Sequence, residues 1–202
     1  MKALLLIDIQ NDFLPGGALA VPGGDAIIPL CNTLQEQFDL VVATQDWHPR
    51  NHKSFASNHA SKNIFDVIEL DGLQQVLWPN HCVQGTEGAA FAEALNMNRV
   101  EAIFRKGMST EIDSYSGFFD NGHKKSTGLA DYFKGMNVED VYIAGLAGDY
   151  CVCYTAKDAL ALHFKTFIIE DATRPIDKEG FEKAKEEVLV KGGKIINSKD
   201  VL

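Results

Sequence analysis

Short runs rich in apolar residues recur along the chain and constrain its fold more than any other feature. Such a run is typical of a β-strand that is buried on both faces of a sheet. The six runs are residues 4–7, 40–44, 99–104, 141–146, 166–169 and 192–197. Segments compatible with a helix lie between or after them, at residues 25–38, 89–95, 127–136, 151–160 and 178–190. Strands that alternate with helices predict a three-layer α/β fold, with a six-stranded parallel sheet flanked by helices on both faces.

The length of the chain bounds its organisation. A chain of 202 residues is long enough for one sizeable core and short for two, so we expect a single domain over residues 1–202. Residues 49–80 are polar and irregular, and we predict a long loop there. Long loops in compact domains are more often functional than not.

The net charge argues against some partners, and the cysteine spacing indicates the cellular compartment. A net charge of −9 argues against nucleic acid and against anionic membranes as partners. No apolar run approaches the length that spans a bilayer. The four cysteines have no disulfide-framework spacing, which predicts a reduced, cytoplasmic protein.

Polar residues follow four of the predicted strands. In parallel α/β sheets the ligand site lies beyond the carboxyl ends of the strands, so these residues are the informative ones. They are Asp8, Asp46 with His48, Lys106 and Cys151. We expect all of them to converge on one rim of the sheet.

Cys151 lies where a strand passes through a glycine-containing turn into a helix. The helix dipole and unpaired N–H groups of a first turn favour a thiolate, the form that attacks electrophiles. Lys106 would favour the thiolate by charge, and Asp8 could accept the thiol proton. The alternatives are a buried structural cysteine and an ion pair without chemistry. Cys153 lies roughly 200° away around the helix, so we assign it to the core.

Asp46 and His48 lie two residues apart and point the same way at a strand end. With His81 they predict a site for one divalent ion, because mixed oxygen and nitrogen ligands suit zinc, manganese or iron(II). His52 is a candidate further ligand. The alternative is an aspartate that binds a surface imidazole.

Three aromatic residues lie in loops close to these motifs: Phe13, Trp78 and Tyr115. We predict that they form a flat slot that binds an aromatic ring. The alternative is that they only anchor their loops.

Five sequence blocks, in order, resemble the nicotinamidases among the isochorismatase-like cysteine hydrolases. The blocks are residues 8–13 (DIQNDF), 45–49 (QDWHP), 78–83 (WPNHCV), 105–107 (RKG) and 145–152 (GLAGDYCV). The resemblance implies hydrolysis of nicotinamide to nicotinate and ammonia in NAD salvage. It also implies a six-stranded sheet, a small-molecule partner and one divalent metal ion, with a homo-oligomer allowed. Zinc is the first expectation for the ion, with manganese or iron as alternatives.

The resemblance also implies roles for individual residues. Cys151 would be the nucleophile, Asp8 the proton acceptor and Lys106 the residue that activates the thiol. A non-proline cis peptide, here Leu146–Ala147, would aim the Ala147 N–H at the developing oxyanion together with that of Cys151.

The remaining implied roles concern the metal and the ring. Asp46, His48 and His81 would hold the ion, which in this family contacts the pyridine nitrogen, and Phe13 and Trp78 would sandwich the ring. The segment after His48 does not align cleanly with relatives that have a further ligand, so His52 stays a candidate only.

Three alternatives remain open. One is a related amidase that acts on another small carbamoyl or maleamate-type amide. A second is a relative that cleaves isochorismate, a reaction that needs no cysteine nucleophile. The third is a non-catalytic binding protein on the same scaffold. The complete set Asp8, Lys106 and Cys151 favours an enzyme, and Phe13 and Trp78 favour an aromatic nitrogen heterocycle as its substrate.

Overall fold

The computed structural model describes residues 1–202 and contains a six-stranded parallel sheet. The strands are β1 Lys2–Ile7, β2 Leu40–Asp46, β3 Val67–Leu70, β4 Leu73–Val76, β5 Val100–Lys106, β6 Asp140–Leu146, β7 Lys165–Arg174 and β8 Lys194–Ile196. In the main sheet the order is β5-β2-β1-β6-β7-β8, and every neighbouring pair is parallel. The predicted sheet is therefore confirmed.

Helices cover both faces of the sheet, as predicted. They are α1 Ile28–Leu34, α2 Leu129–Gly135, α3 Cys153–Ala161 and α4 Lys178–Val190. Along β1, Leu4 and Leu6 pack in the cluster that contains α1, whereas Leu5 and Ile7 pack with α2, α3 and α4. Because successive side chains of a strand alternate between faces, burial on both sides requires the apolar run seen in the sequence.

The strand order brings the four polar strand ends together. Strands β5, β2, β1 and β6 are consecutive neighbours, and parallel strands place their carboxyl ends at one edge. The last residues of β2 and β5, Asp46 and Lys106, are register partners. The predicted rim is therefore a continuous edge of four strands.

The long loop predicted over residues 49–80 contains a β-hairpin. Strands β3 and β4 pair antiparallel, apart from the main sheet. Asp71 and Gly72 make the turn, and both have positive φ, 54° and 79°. Asp-Gly is a strong hairpin signal, since both central residues of such a turn need φ above zero. The loop prediction was wrong at this hairpin, because the Asp71-Gly72 dipeptide favours a tight turn between two paired strands.

One predicted helix is shorter than expected, and another is absent. Within residues 25–38 only α1 is α-helical, with single 3₁₀ turns at Gly24–Ile27 and Gln35–Gln37. The helix predicted over residues 89–95 is wrong. Only a 3₁₀ turn, Glu87–Ala89, is present, and Phe91 then forms an antiparallel bridge with Gln10. That bridge holds the segment extended, so tertiary pairing overrides its weak helical pattern.

Strand β7 is longer than predicted. The predicted strand ended at residue 169, but β7 continues to Arg174. The pairing of β6 with β7 is interrupted after Ile143, which pairs with Ile168. It resumes with a shifted register at Gly145, which pairs with Thr173. None of the helices has the length and apolar composition needed to cross a membrane.

Candidate active site

Lys106 lies at the centre of the rim and is 2% exposed. Its ammonium nitrogen is 2.6 Å from Asp46 Oδ1, 2.9 Å from Asp8 Oδ2 and 3.3 Å from Cys151 Sγ. It also donates to the carbonyl of Ser114 at 3.0 Å. One buried cation thus joins the predicted catalytic residues to a predicted metal ligand.

The charges around Lys106 determine the protonation of the site. Burial raises the pKa of Asp8 to about 6, although Lys106 opposes the increase. Burial also raises the pKa of the Cys151 thiol well above its ordinary value, and Lys106 offsets only part of this. Burial therefore opposes the thiolate that the helix start and Lys106 favour. A carboxylate oxygen of Asp8 lies within 4.8 Å of the sulfur, where it could take the thiol proton.

Two buried polar residues that the sequence analysis did not single out bind Asp8 and Asp46, one through the carboxylate and the other through the backbone. The Thr44 hydroxyl donates to Asp8 Oδ1 at 2.7 Å. The Gln10 side chain accepts from the Asp46 N–H and donates to the Asp46 carbonyl, both at 2.8 Å. These bonds join the segment that follows β1 to β2. They depend on strand register, which the sequence pattern does not directly indicate.

Cys151 lies in the turn that follows β6. The Leu146–Ala147 peptide is cis, as the resemblance implies, and a π-helical turn, Gly148–Val152, leads into α3. Within that turn the Asp149 carboxylate accepts the N–H groups of Ile176 and Asp177, both at 2.9 Å. Cys153 is fully buried in the core on the face of α3, as predicted.

Asp46, His48 and His81 bring three potential ligand atoms within 4.8 Å of one another. Nδ1 of His48 binds the Gly107 carbonyl at 2.9 Å, and Nδ1 of His81 binds the Pro79 carbonyl at 2.8 Å. A carbonyl can only accept, so each ring carries its proton on Nδ1. Each Nε2 is then free as a lone-pair donor, 3.5 and 3.9 Å from Asp46 Oδ2. This oxygen and nitrogen donor set fits a divalent metal ion.

His52 lies beside this group, with its ring centroid 4.5 Å from that of His48. Its Nδ1 binds the Ser54 hydroxyl at 2.7 Å, and its buried Nε2 has no hydrogen-bond partner. Together with His48 and Asp113 it forms a second cluster of potential ligand atoms. The structure thus places His52 next to the predicted metal ligands but outside the Asp46, His48 and His81 set.

The predicted aromatic residues line one cavity of about 330 Å³, its open mouth included. Phe13, Trp78 and Tyr115 form its walls, and Cys151 and Ala147 lie in the same lining. The rings of Trp78 and Tyr115 meet edge to face, with centroids 6.3 Å apart. Residues not predicted from the sequence complete the walls: Leu19, Asp113, Tyr150 and Ile176.

A buried thiol beside an acid and a lysine, at the carboxyl edge of a parallel α/β sheet and next to metal ligands, is the arrangement expected of a cysteine hydrolase. The Isochorismatase domain model matches residues 2–200. The chain belongs to the isochorismatase family.

Several similar proteins are nicotinamidases or pyrazinamidases. A nicotinamidase of Acinetobacter baylyi is 48% identical over 201 residues, which cover 99% of this chain and 94% of that protein. A solved nicotinamidase and pyrazinamidase structure from Acinetobacter baumanii has a TM-score of 0.97 and 48% identity, covering 100% of this chain and 98% of the other. A pyrazinamidase of Pyrococcus horikoshii in complex with zinc has a TM-score of 0.80 and 39% identity, covering 97% and 98%.

Proposed function

We propose that this protein hydrolyses nicotinamide to nicotinate and ammonia, a reaction of NAD salvage. The observation that carries the proposal is the Cys151 thiol, 3.3 Å from Lys106, in a cavity walled by aromatic rings. The similarity to nicotinamidases at up to 48% identity supports the same substrate.

Asp46, His48 and His81 would hold the divalent ion, for which we propose zinc. The zinc complex of the Pyrococcus horikoshii relative supports that choice. When bound, the ion supplies an electrophilic contact for the ring nitrogen of the substrate. Phe13 and Trp78 would bind the two faces of the ring, which places the carboxamide at the Cys151 end of the cavity.

Acylation begins with a proton transfer. Asp8 takes the proton of Cys151, and the sulfur attacks the amide carbonyl carbon. The Lys106 ammonium stabilises the thiolate as it forms. The N–H groups of Ala147 and Cys151 would stabilise the oxyanion of the tetrahedral intermediate. Asp8 then returns the proton to the amide nitrogen, and ammonia leaves a nicotinoyl thioester on Cys151.

Deacylation uses the same residues. Asp8, again ionised, accepts a proton from water as the water oxygen attacks the thioester carbonyl. Collapse of this intermediate breaks the carbon–sulfur bond, and the proton returns from Asp8 to the sulfur. Nicotinic acid leaves and ionises to nicotinate in solution, and Cys151 and Asp8 are restored to their starting states. The overall reaction consumes one water molecule and releases one ammonia molecule.

Ammonia release from a panel of amides tests the proposal and separates it from a maleamate-type amidase. We expect kcat/KM for nicotinamide to exceed that for maleamate by at least about 100-fold, because a small anionic amide cannot fill the aromatic slot. Elemental analysis of the same preparation should find zinc. A preference for maleamate, or no ammonia from any amide, would contradict the assignment.

A further inference from the structure

Gln75 is an unusual residue for its place in the fold. Among the eight residues of β3 and β4 it alone is buried, with 3% exposure, while its neighbour Gln74 is exposed. A buried amide costs free energy unless hydrogen bonds satisfy it, and an apolar residue would fill the same position without that cost. The amide therefore requires an explanation from its contacts.

The Gln75 side-chain nitrogen contacts three oxygens. It lies 2.7 Å from the Val76 carbonyl, 3.1 Å from Asp113 Oδ2 and 3.0 Å from the Tyr115 hydroxyl. The carbonyl and the carboxylate can only accept, so the atom that faces them must be the amide N–H₂. Its two hydrogens are shared among the three oxygens, and because an amide nitrogen does not accept, the Tyr115 hydroxyl is the acceptor in its contact with Gln75.

The hydroxyl of Tyr115 also accepts from Trp78. The indole Nε1 is 3.3 Å from it and can only donate. Gln75 and Trp78 thus meet at one oxygen, and their two donors fix the orientation of the Tyr115 ring against the Trp78 ring. Both rings line the cavity, whereas Gln75 lies behind them and outside its lining.

We propose that Gln75 is a positioning residue that holds Tyr115, and through it Trp78, in the orientation that binds the substrate ring. The inference rests on the proposed function, since it assigns a role within the same cavity. Gln75 has no hydrogen bond to Asp8, Lys106 or Cys151. Its loss should therefore weaken binding of the ring and leave the chemistry of the thiol unchanged.

Gln75→Met tests this, with Gln74→Met on the exposed side of the same strand as the matched control. Methionine keeps the length of the side chain and removes the donors. We expect KM for nicotinamide to rise about tenfold in Gln75→Met, the scale of one or two lost hydrogen bonds, with kcat within about twofold of the unsubstituted protein. The control should match the unsubstituted protein in both constants.

A purely structural role predicts a different pattern. It would lower kcat and the rate at which iodoacetamide alkylates Cys151, because the whole site would be disturbed. Unchanged KM in Gln75→Met, or a fall in kcat and alkylation without a rise in KM, would overturn the proposal. If the unsubstituted protein releases no ammonia from nicotinamide, the proposed function fails instead.

Tyr115→Phe provides a second test that does not depend on the folding of Gln75→Met. It removes the shared acceptor, so KM should rise with kcat retained, and an unchanged KM would overturn the proposal. In the double variant, Gln75→Met should raise KM by a smaller factor than it does alone, because the two side chains act through one contact. Fully additive effects would contradict that contact.

Discussion

At the scale of single residues, the site depends on one buried ammonium shared by two functions. Lys106 contacts Asp8, the proposed base, the thiol of Cys151, and Asp46, a proposed metal ligand. Although burial alone would lower it, the carboxylates of Asp46 and Asp8 raise the pKa of Lys106 well above its ordinary value, so the ammonium stays charged. A substitution at Asp46 should therefore also change the electrostatic environment of the Cys151 thiol.

The protonation of Asp8 leads to a pH prediction. Its pKa is raised to about 6, and a protonated Asp8 cannot accept the thiol proton. We expect kcat/KM to fall as pH decreases through about 6, by about tenfold per pH unit on the acid side. The charged groups that face Asp8 are Lys106 and Asp46, with the Cys151 thiol beside them.

Two substitutions of Thr44 test whether Asp8 determines this pH profile. Its hydroxyl bond stabilises the ionised form of Asp8, so Thr44→Val should move the acid limb of kcat/KM to higher pH. Thr44→Ser, which keeps the hydroxyl, should leave the limb in place. A profile that stays flat between pH 5 and pH 7 would exclude Asp8 as the base over that range.

At the scale of elements, the close approach of β6 to β1 fixes the position of the turn that contains Cys151. Gly145 pairs with Ile7 and has φ +127°, and an added Cβ would lie 2.2 Å from the Ile7 carbonyl oxygen. The cis peptide and the turn that contains Cys151 begin at the next residue. Only glycine fits here, because both the backbone conformation and the contact exclude a side chain.

Gly145→Ala should therefore destabilise the protein by about 3 kcal/mol or more and lower Tm by roughly 10 °C. The matched control is Gly135→Ala at the end of α2, where no atom lies within 4 Å of an added Cβ. The control should change stability by less than about 1 kcal/mol. Thermal melts of the two variants check this, and equal Tm values would refute the role assigned to Gly145.

At the scale of the whole molecule, the sequence predicts what depends on chain order and burial. Asp8 and Cys151 follow buried strands, and Lys106 ends the half-exposed edge strand β5. Parallel strands must end at one edge, so the convergence of these residues was predictable. The rise in the pKa of the Cys151 thiol was not predictable, since it depends on how completely the folded protein excludes water. Thr44 and Gln75 were missed for a related reason. Their partners, Asp8 and Tyr115, lie 36 and 40 residues away, and only the folded register brings them into contact.

The most direct test of the whole assignment is nicotinamide-dependent ammonia release by Cys151→Ala compared with Cys153→Ala. The two substitutions remove the same atoms two residues apart, one in the cavity and one in the core. Cys151→Ala should lose at least about 10⁴-fold in kcat while it stays folded, because no other group can form the thioester. Cys153→Ala should keep most of its activity. Substantial turnover by folded Cys151→Ala would contradict the assignment of Cys151 as the nucleophile.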